Sequence, residues 1–194
     1  MEKKLLIIHA HPDSESFCGA LASAYESGAA HAGHSISRID LGELSFDPVQ
    51  HKGYREVQPL EPDLLDAKEA LIQAGHLVFV YPVWWGGPPA LLKGFFDRLF
   101  LPGIAFKFNN PHALRWERLL AGRSARLLVT MDTPPWYYRL IYRMPGHNQM
   151  KRTILDFCGI RPVFISEFGP VRTSTPEQRQ KWLETASQLG RKAG

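Results

Sequence analysis

The chain has 194 residues, of which 44% are hydrophobic and 22% are charged, and its formal net charge is +4. This length supports one sizeable core, which predicts a single domain over residues 1–194. No Lys/Arg cluster is dense enough for nucleic acid, and no apolar run reaches transmembrane length. Two distant cysteines, Cys18 and Cys158, favour a reducing compartment without a cysteine-based metal site. We therefore expect a cytoplasmic protein with no nucleic-acid partner and no bound metal.

The first half of the chain alternates predicted strands and helices. A short apolar run predicts a strand over 5–8, and an Ala-rich stretch predicts a helix over 16–32 that Gly33 ends. Alternating polar and apolar residues predict a second strand over 35–41. Further on, the pattern predicts a loop over 42–60, a helix over 62–73, a strand over 76–81, a Pro/Gly/Trp loop over 82–87 and a helix over 88–100.

The second half completes an α/β pattern. A fourth strand is predicted over 125–131 and a fifth over 163–168. Between them, an aromatic and basic segment over 136–152 leads into a helix that ends near Cys158, and Thr175 caps a final helix. Five strands separated by helices predict a doubly wound parallel sheet in the order 2-1-3-4-5, with helices on both faces.

Two unusual loops follow the first and third predicted strands, where the strand order reverses and ligands bind in such sheets. The loop over 9–17 leads into a helix N-terminus that favours a phosphate, with His11, Ser14 and Ser16 as further donors. The loop over 82–87 offers two tryptophans and two glycines to a flat ring. Together they suit a flavin nucleotide, although each feature alone is also compatible with core tryptophans and an ordinary loop histidine.

Four segments resemble the diaphorase-type NAD(P)H:quinone oxidoreductases of the flavodoxin-like superfamily. They are HxxxxSF over 11–17, FDP over 46–48, YPVWWGGPPALLKGFFDRLF over 81–100 and LDFCGI over 155–160. The resemblance implies a flavodoxin-like fold and a homodimer whose active sites lie at the subunit interface. It also implies transfer of two electrons, as a hydride and by ping-pong kinetics, from NADH or NADPH through the flavin to quinone-like, nitroaromatic or azo acceptors.

The resemblance also implies roles for individual residues. The flavin diphosphate would be held by His11, Ser16, Phe17 and Cys18, and the ring and ribityl chain would be covered by Pro82, Val83, Trp84, Trp85 and Gly86. Thr175-Pro176 with Arg179 and Leu183 matches a family motif that reaches the AMP half of FAD. That match favours FAD over FMN.

One segment departs from the family pattern. Where the family has T-T-G-G beside the flavin ring, this chain has Asp132 and Thr133 followed by Pro134-Pro135, and proline has no N–H to donate. The catalytic residues that the family places after it would be Tyr137 or Tyr138 together with His147. Candidate walls of the substrate slot are Phe106 and Trp136, along with the two tryptophans of the 82–87 loop.

Two other functions remain open from the sequence. Accessory subunits of membrane potassium-efflux transporters resemble the same family, so a redox-sensing subunit with a membrane-transporter partner is an alternative. Zinc-dependent deacetylases begin with A-H-P-D-D-E after a first strand, which 10–15 matches except at Ser14, where a zinc ligand is required. A one-electron flavodoxin is disfavoured because such proteins are acidic and this chain has a pI near 9.1.

Overall fold

A computed structural model of the chain describes residues 2–110 and 115–193. In chain order its strands are β1 (Lys4–His9), β2 (Ser35–Asp40), β3 (His76–Pro82), β4 (Phe106–Phe108), β5 (Trp116–Arg118), β6 (Ser124–Thr130) and β7 (Val163–Phe168). Its helices are α1 (Phe17–His31), α2 (Pro62–Gln73), α3 (Ala90–Leu99), α4 (Pro135–Leu140), α5 (Pro145–Asn148), a π-helix (Gln149–Leu155), α6 (Asp156–Cys158) and α7 (Pro176–Lys192).

Five of the strands form one parallel sheet in the order β2-β1-β3-β6-β7. Strands β4 and β5 form a separate antiparallel hairpin, so β6 and β7 are the fourth and fifth strands of the sheet. The observed order is therefore the predicted 2-1-3-4-5, and the predicted topology is confirmed. The hairpin itself was not predicted, since its strands have three residues each and are too short to show a period. All seven residues of β3 are buried, as expected for the central strand of a sheet covered on both sides.

Helices cover both faces of the sheet. On one face, α2 and α3 contribute Leu64, Leu71, Leu92 and Phe95 to a core shared with Leu6 and Phe79. On the other, α1 and α7 pack over alternate residues of the same strands. Helices α1 and α7 pack closely at Gly28, where there is no room for a side chain: an added Cβ would lie 1.9 Å from the Ser187 carbonyl oxygen. With its core filled from both sides, the sheet leaves the carboxyl ends of its strands free for a site.

The segment after β6 is more structured than expected. The predicted aromatic and basic stretch over 136–152 overlaps α4 and contains α5 and most of the π-helix. Helix α4 begins at Pro135, and proline suits a first helical position because that residue's N–H has no partner within the helix. Among residues 2–110 and 115–193, no helix combines the length and apolar character needed to cross a membrane.

Candidate active site

A cavity of about 280 Å³ lies at the carboxyl ends of β1, β3 and β6. This is the predicted position, where the chain leaves β1 and β3 in opposite directions. Nine of the residues predicted to hold a cofactor line it: His11, Ser16, Phe17, Cys18, Pro82, Val83, Trp84, Asp132 and Thr133. Thr130, Met131 and Val171, which the sequence did not single out, complete the wall.

The N-terminus of α1 forms one end of this cavity. Ser16 caps the helix by accepting a hydrogen bond of 3.3 Å from the Gly19 amide. The preceding amides of Phe17 and Cys18 belong to the first turn, where the helix provides no carbonyl acceptor. Free first-turn amides together with the helix dipole favour an anion. This end of the cavity therefore has the donor set that a phosphate or diphosphate group requires.

Two side chains beside α1 have defined roles in the wall. His11 Nδ1 lies 3.0 Å from the Asp13 amide nitrogen and 3.1 Å from the Asp13 carbonyl oxygen, so the ring is held in the wall by its Nδ1 edge. The Cys18 thiol lies 3.1 Å from the Thr130 hydroxyl, and burial raises its pKa to about 12. A thiol with that pKa stays protonated at neutral pH, so Cys18 closes the wall and is not a nucleophile.

The loop after β3 is a two-residue hairpin turn. The amides and carbonyls of Trp84 and Gly87 exchange hydrogen bonds of 2.9 and 3.0 Å, and φ is +51° at Trp85 and +81° at Gly86. Positive φ at both central residues is the type I′ turn. A bulky residue at positive φ is uncommon. The turn directs the Trp85 side chain into solvent, fully exposed, while Trp84 packs edge-on against His11 with 5.5 Å between ring centroids.

A second cavity, of about 470 Å³, adjoins the first. Val83 and Thr133 line both, so the two form one continuous groove. The second cavity is walled by Trp85, Gly86, Tyr138, Tyr142 and Pro145. Its lining is mainly aromatic and apolar, as expected for the binding of a flat ring. Tyr142 was not predicted, because the sequence offered several tyrosines in one segment and no register to choose among them.

Tyr138 lies at the back of this groove and is fully buried. Its hydroxyl donates to the Gly86 carbonyl at 2.9 Å and accepts from the Gly146 amide at 2.9 Å. Burial raises the pKa of this hydroxyl. A Cβ on Gly146 would lie only 2.8 Å from the Gly86 carbonyl oxygen. Tyr138 thus joins the segment after β6 to the turn after β3, and its single proton is already engaged.

His147 lies behind Tyr138, with 5.0 Å between ring centroids, and lines neither cavity. Its Nε2 atom is 2.9 Å from Glu167 Oε1, and the other Glu167 oxygen pairs with Arg139. Burial lowers the pKa of His147, although the Glu167 carboxylate opposes this. Glu167 on β7 was not predicted, because nothing in its local sequence distinguishes it from a surface glutamate.

The remaining predicted residues lie outside the groove. Tyr137 packs against Trp136 and Tyr142, and neither Tyr137 nor Trp136 lines a groove wall. Phe106 lies in the β4–β5 hairpin against Phe157, with 5.0 Å between ring centroids. The structure therefore does not bring the two predicted slot walls, Phe106 and Trp136, into the groove of this chain.

The C-terminal helix approaches the groove at Phe17, which contacts both Trp182 and Arg179. The Arg179 guanidinium lies over the Phe17 ring, 5.8 Å from its centroid, and donates to the Ser174 hydroxyl at 2.9 Å and to the Val171 carbonyl at 3.1 Å. Leu183 packs into the core between α1 and α7. Within the described parts of the chain, no three His, Cys, Asp or Glu side chains are grouped as they would be around a metal ion.

Comparisons with known proteins agree with this fold. A family model described as the flavodoxin-like fold matches residues 3–189. A protein of Haemophilus influenzae named as an uncharacterized NAD(P)H oxidoreductase is 29% identical over 188 residues, or 94% of this chain and 92% of that protein. Ribosyldihydronicotinamide dehydrogenase [quinone] of Pongo abelii is 28% identical over 207 residues, or 91% of this chain and 86% of that protein.

A solved structure also matches almost the whole chain. The NAD(P)H:quinone oxidoreductase from Methanothermobacter marburgensis is 25% identical, with a TM-score of 0.80 over 98% of this chain and 96% of that one. The resemblance noted from the sequence is thus confirmed at the level of the family, since the matches extend over almost the whole chain and are not confined to one loop.

Proposed function

Because this chain belongs to the flavodoxin-like fold family, we propose that it is an NAD(P)H oxidoreductase that uses a flavin to reduce quinone-like aromatic acceptors. The observation that carries the proposal is the continuous groove, with free helix amides at one end and aromatic walls at the other. When bound, a flavin supplies two-electron chemistry between a reduced nicotinamide and an acceptor.

The residues present fit a flavin nucleotide. Its phosphates would bind the amides of Phe17 and Cys18 with the Ser16 hydroxyl, and the His11 ring lines the same end. The ring would lie along Trp84 and the second cavity. The prolines at 134 and 135 offer no N–H to the ring's polar edge, so on that side the Thr133 hydroxyl is the donor available in the groove wall. We infer that the groove accepts the cofactor with fewer backbone hydrogen bonds to its ring.

FAD is the cofactor we propose, in preference to FMN. Arg179 lies over Phe17, directly beside the end of the groove that suits a diphosphate. A guanidinium at that point favours a ligand that continues past the diphosphate, as the AMP half of FAD does. FMN ends at its phosphate and would extend no group past that point toward Arg179.

Tyr142 is the side chain we assign to proton donation in this groove. It lines the second cavity, and within residues 2–110 and 115–193 no side chain or backbone group forms a competing hydrogen bond with its hydroxyl. Tyr138 and His147, in contrast, are buried and engaged with Gly86, Gly146 and Glu167. Their role is to hold the wall that carries Tyr142, so we treat them as positioning residues. A donor near a reacting oxygen stabilises the negative charge that develops there.

The absorbance spectrum of the purified protein tests the proposal. Flavin bands that bleach on anaerobic addition of NAD(P)H and return with a quinone are the expected result. Chromatography of the cofactor released by heat then distinguishes FAD from FMN. Because donor and acceptor would use one slot in turn, double-reciprocal plots at several acceptor concentrations should give parallel lines. A colourless protein that binds neither added flavin would contradict the proposal.

A further inference from the structure

His9 lies directly behind the phosphate end of the groove. It is the last residue of β1 and is fully buried, with Val80 of β3 beside it. A Cβ added to Gly19 would lie 3.6 Å from Cε1 of the His9 ring, so the ring packs against the first turn of α1. The ring also stacks behind His11, with 6.3 Å between centroids and 18° between planes. Because His11 lines the cavity, His9 is next to the cavity wall without being part of it.

A carboxylate holds one nitrogen of the His9 ring. His9 Nδ1 lies 2.9 Å from Asp40 Oδ1, and the Arg38 guanidinium donates to both oxygens of Asp40 at 2.9 and 2.8 Å. Burial raises the pKa of the Asp40 carboxyl, but its contacts with Arg38 and His9 outweigh burial and lower it. An ionised carboxylate only accepts hydrogen bonds, so Nδ1 of His9 carries the hydrogen. The Asp40 side chain is 26% exposed and therefore connects the buried ring to solvent.

The other nitrogen of the His9 ring is unused. Among residues 2–110 and 115–193, no group forms a hydrogen bond with the buried Nε2 atom. With the hydrogen on Nδ1, Nε2 keeps its lone pair and is the position that takes up a proton. Burial lowers the pKa of His9, Asp40 opposes this, and the charges of Arg38 and His11 lower it further. The ring is therefore neutral at neutral pH when no anion is bound nearby.

The charged groups around His9 do not balance one another. Asp40 and Glu26 are both carboxylates, and both pair with the single guanidinium of Arg38. The Cys18 thiol on α1 stays uncharged, because burial raises its pKa to about 12. This network therefore has one negative charge in excess, which a proton on His9 would balance.

We propose that His9 positions the cofactor by taking up a proton when a diphosphate binds at the N-terminus of α1. The proposal rests on the proposed function, because it requires an anion at that end of the groove. A bound anion favours the charged form of a nearby histidine, and by linkage the charged histidine strengthens binding of the anion. Asp40 holds the ring in both forms and passes the proton from solvent. His9 thus acts on the diphosphate through its charge, without touching it.

The proposal predicts how the affinity for FAD depends on pH. The complex would hold one more proton than its separate components, so the affinity rises as the pH falls. The change extends from the pKa of His9 in the complex down to its lower pKa in the free protein, and each pH unit between them changes Kd about tenfold. FAD is the suitable probe, because its phosphates keep a constant charge between about pH 5.5 and 8, whereas the phosphate of FMN titrates at about pH 6.

Titration of the full chain, freed of flavin, with FAD tests the proposal without measuring turnover. Circular dichroism first establishes that the flavin-free chain keeps its fold. Calorimetry at neutral pH in two buffers with different ionisation enthalpies then counts the protons taken up on binding. We expect net proton uptake, and a Kd about tenfold or more weaker at about pH 8 than at about pH 6. This measurement needs no variant, so the proposal can fail even if a substitution at His9 does not fold.

Variants assign the proton to one side chain. His9→Asn keeps an N–H group near Asp40 but cannot be charged, so it should bind FAD without proton uptake and with a flatter pH dependence. Asp40→Asn should reduce the uptake, because the charged ring loses its carboxylate. His11→Asn should weaken binding of FAD while proton uptake persists. His31→Asn, at the exposed C-terminal end of α1, is the matched control and should change neither quantity.

Three results would overturn the proposal. The first is binding of FAD by the parent with no proton uptake and the same Kd at each pH. The second is proton uptake that persists in His9→Asn and disappears in His11→Asn, which would assign the proton to the cavity wall. The third is a chain that binds no FAD at any pH. That result alone would also contradict the proposed function, whereas the first two would leave it standing.

Discussion

The Tyr138 hydroxyl donates a 2.9 Å hydrogen bond to the Gly86 carbonyl across 52 residues of sequence. This bond joins two segments that both line the groove, the turn after β3 and the helices after β6. The same oxygen accepts from the Gly146 amide at 2.9 Å. The Gly146 amide also donates to the Gly86 carbonyl at 2.9 Å, so the shape of the ring site depends on this backbone bond and on a phenol whose proton is already engaged.

Tyr138→Phe should destabilise the protein by about 0.5–1.5 kcal/mol, because the hydroxyl's two hydrogen bonds are lost while the Gly146 amide keeps its 2.9 Å bond to the Gly86 carbonyl. The expected functional result is a raised KM for the acceptor with a smaller change in kcat, since a wall moves but no proton donor is lost. Urea unfolding and steady-state kinetics measure the two effects. A variant with parental stability would show that the hydroxyl does not tie these segments together.

Tyr142→Phe should lower kcat with little change in stability, which is the reverse of the effect expected for Tyr138→Phe. Its hydroxyl is not buried among fixed partners, so the free energy of unfolding should change by less than about 0.5 kcal/mol. If the hydroxyl donates to the acceptor, kcat should fall about tenfold to a hundredfold, and kcat/KM with it. Tyr54→Phe, another exposed tyrosine, is the control. Parental kcat in Tyr142→Phe would exclude Tyr142 as the donor.

Gly146→Ala should be poorly tolerated, because the added Cβ would lie 2.8 Å from the Gly86 oxygen and 2.9 Å from the Tyr138 hydroxyl. Neither backbone nor buried ring yields easily, so we expect a loss of about 1–3 kcal/mol in unfolding free energy and weaker binding of added flavin. Gly75→Ala is the matched control, since its nearest neighbour is 3.9 Å away. Similar stability of both variants would contradict this packing.

Stability should decrease as the pH falls from about 6.5 to 4, chiefly because of His76. This side chain is fully buried between Ser124 and Tyr25, and burial lowers its pKa to about 4, with Lys3, Arg126 and His34 acting in the same direction. The unfolded chain then binds a proton that the folded chain excludes, so the stabilisation is complete above the unfolded pKa near 6.5 and is lost toward 4. His9 and His147, whose pKa values are also lowered, act in the same sense.

The measurement is urea unfolding at several pH values for the parent and for His76→Gln. The variant should be less stable at neutral pH and show a flatter dependence on pH in this range. The exposed His31, replaced in the same way, should leave the pH dependence unchanged. An unchanged slope in His76→Gln would assign the acid sensitivity to other groups.

Local sequence determined the sheet and the position of the groove. Five apolar or alternating runs separated by helices were sufficient for the order of the five long strands, because burial on both faces leaves a signal in every residue of a strand such as β3. Nine predicted cofactor residues line one cavity, since the loops after β1 and β3 meet wherever this topology forms. The family motifs over 11–17 and 81–100 also predicted the position of the groove.

Only the tertiary structure decided how the segment after β6 is used. Sequence favoured Tyr137, Tyr138 and His147 as catalytic residues, but the structure buries Tyr138 and His147 and presents Tyr142 to the groove. The pairing of His147 with Glu167 joins α5 to β7 across 20 residues. Such contacts depend on the direction in which short helices fold back over the sheet, and no local period encodes that direction.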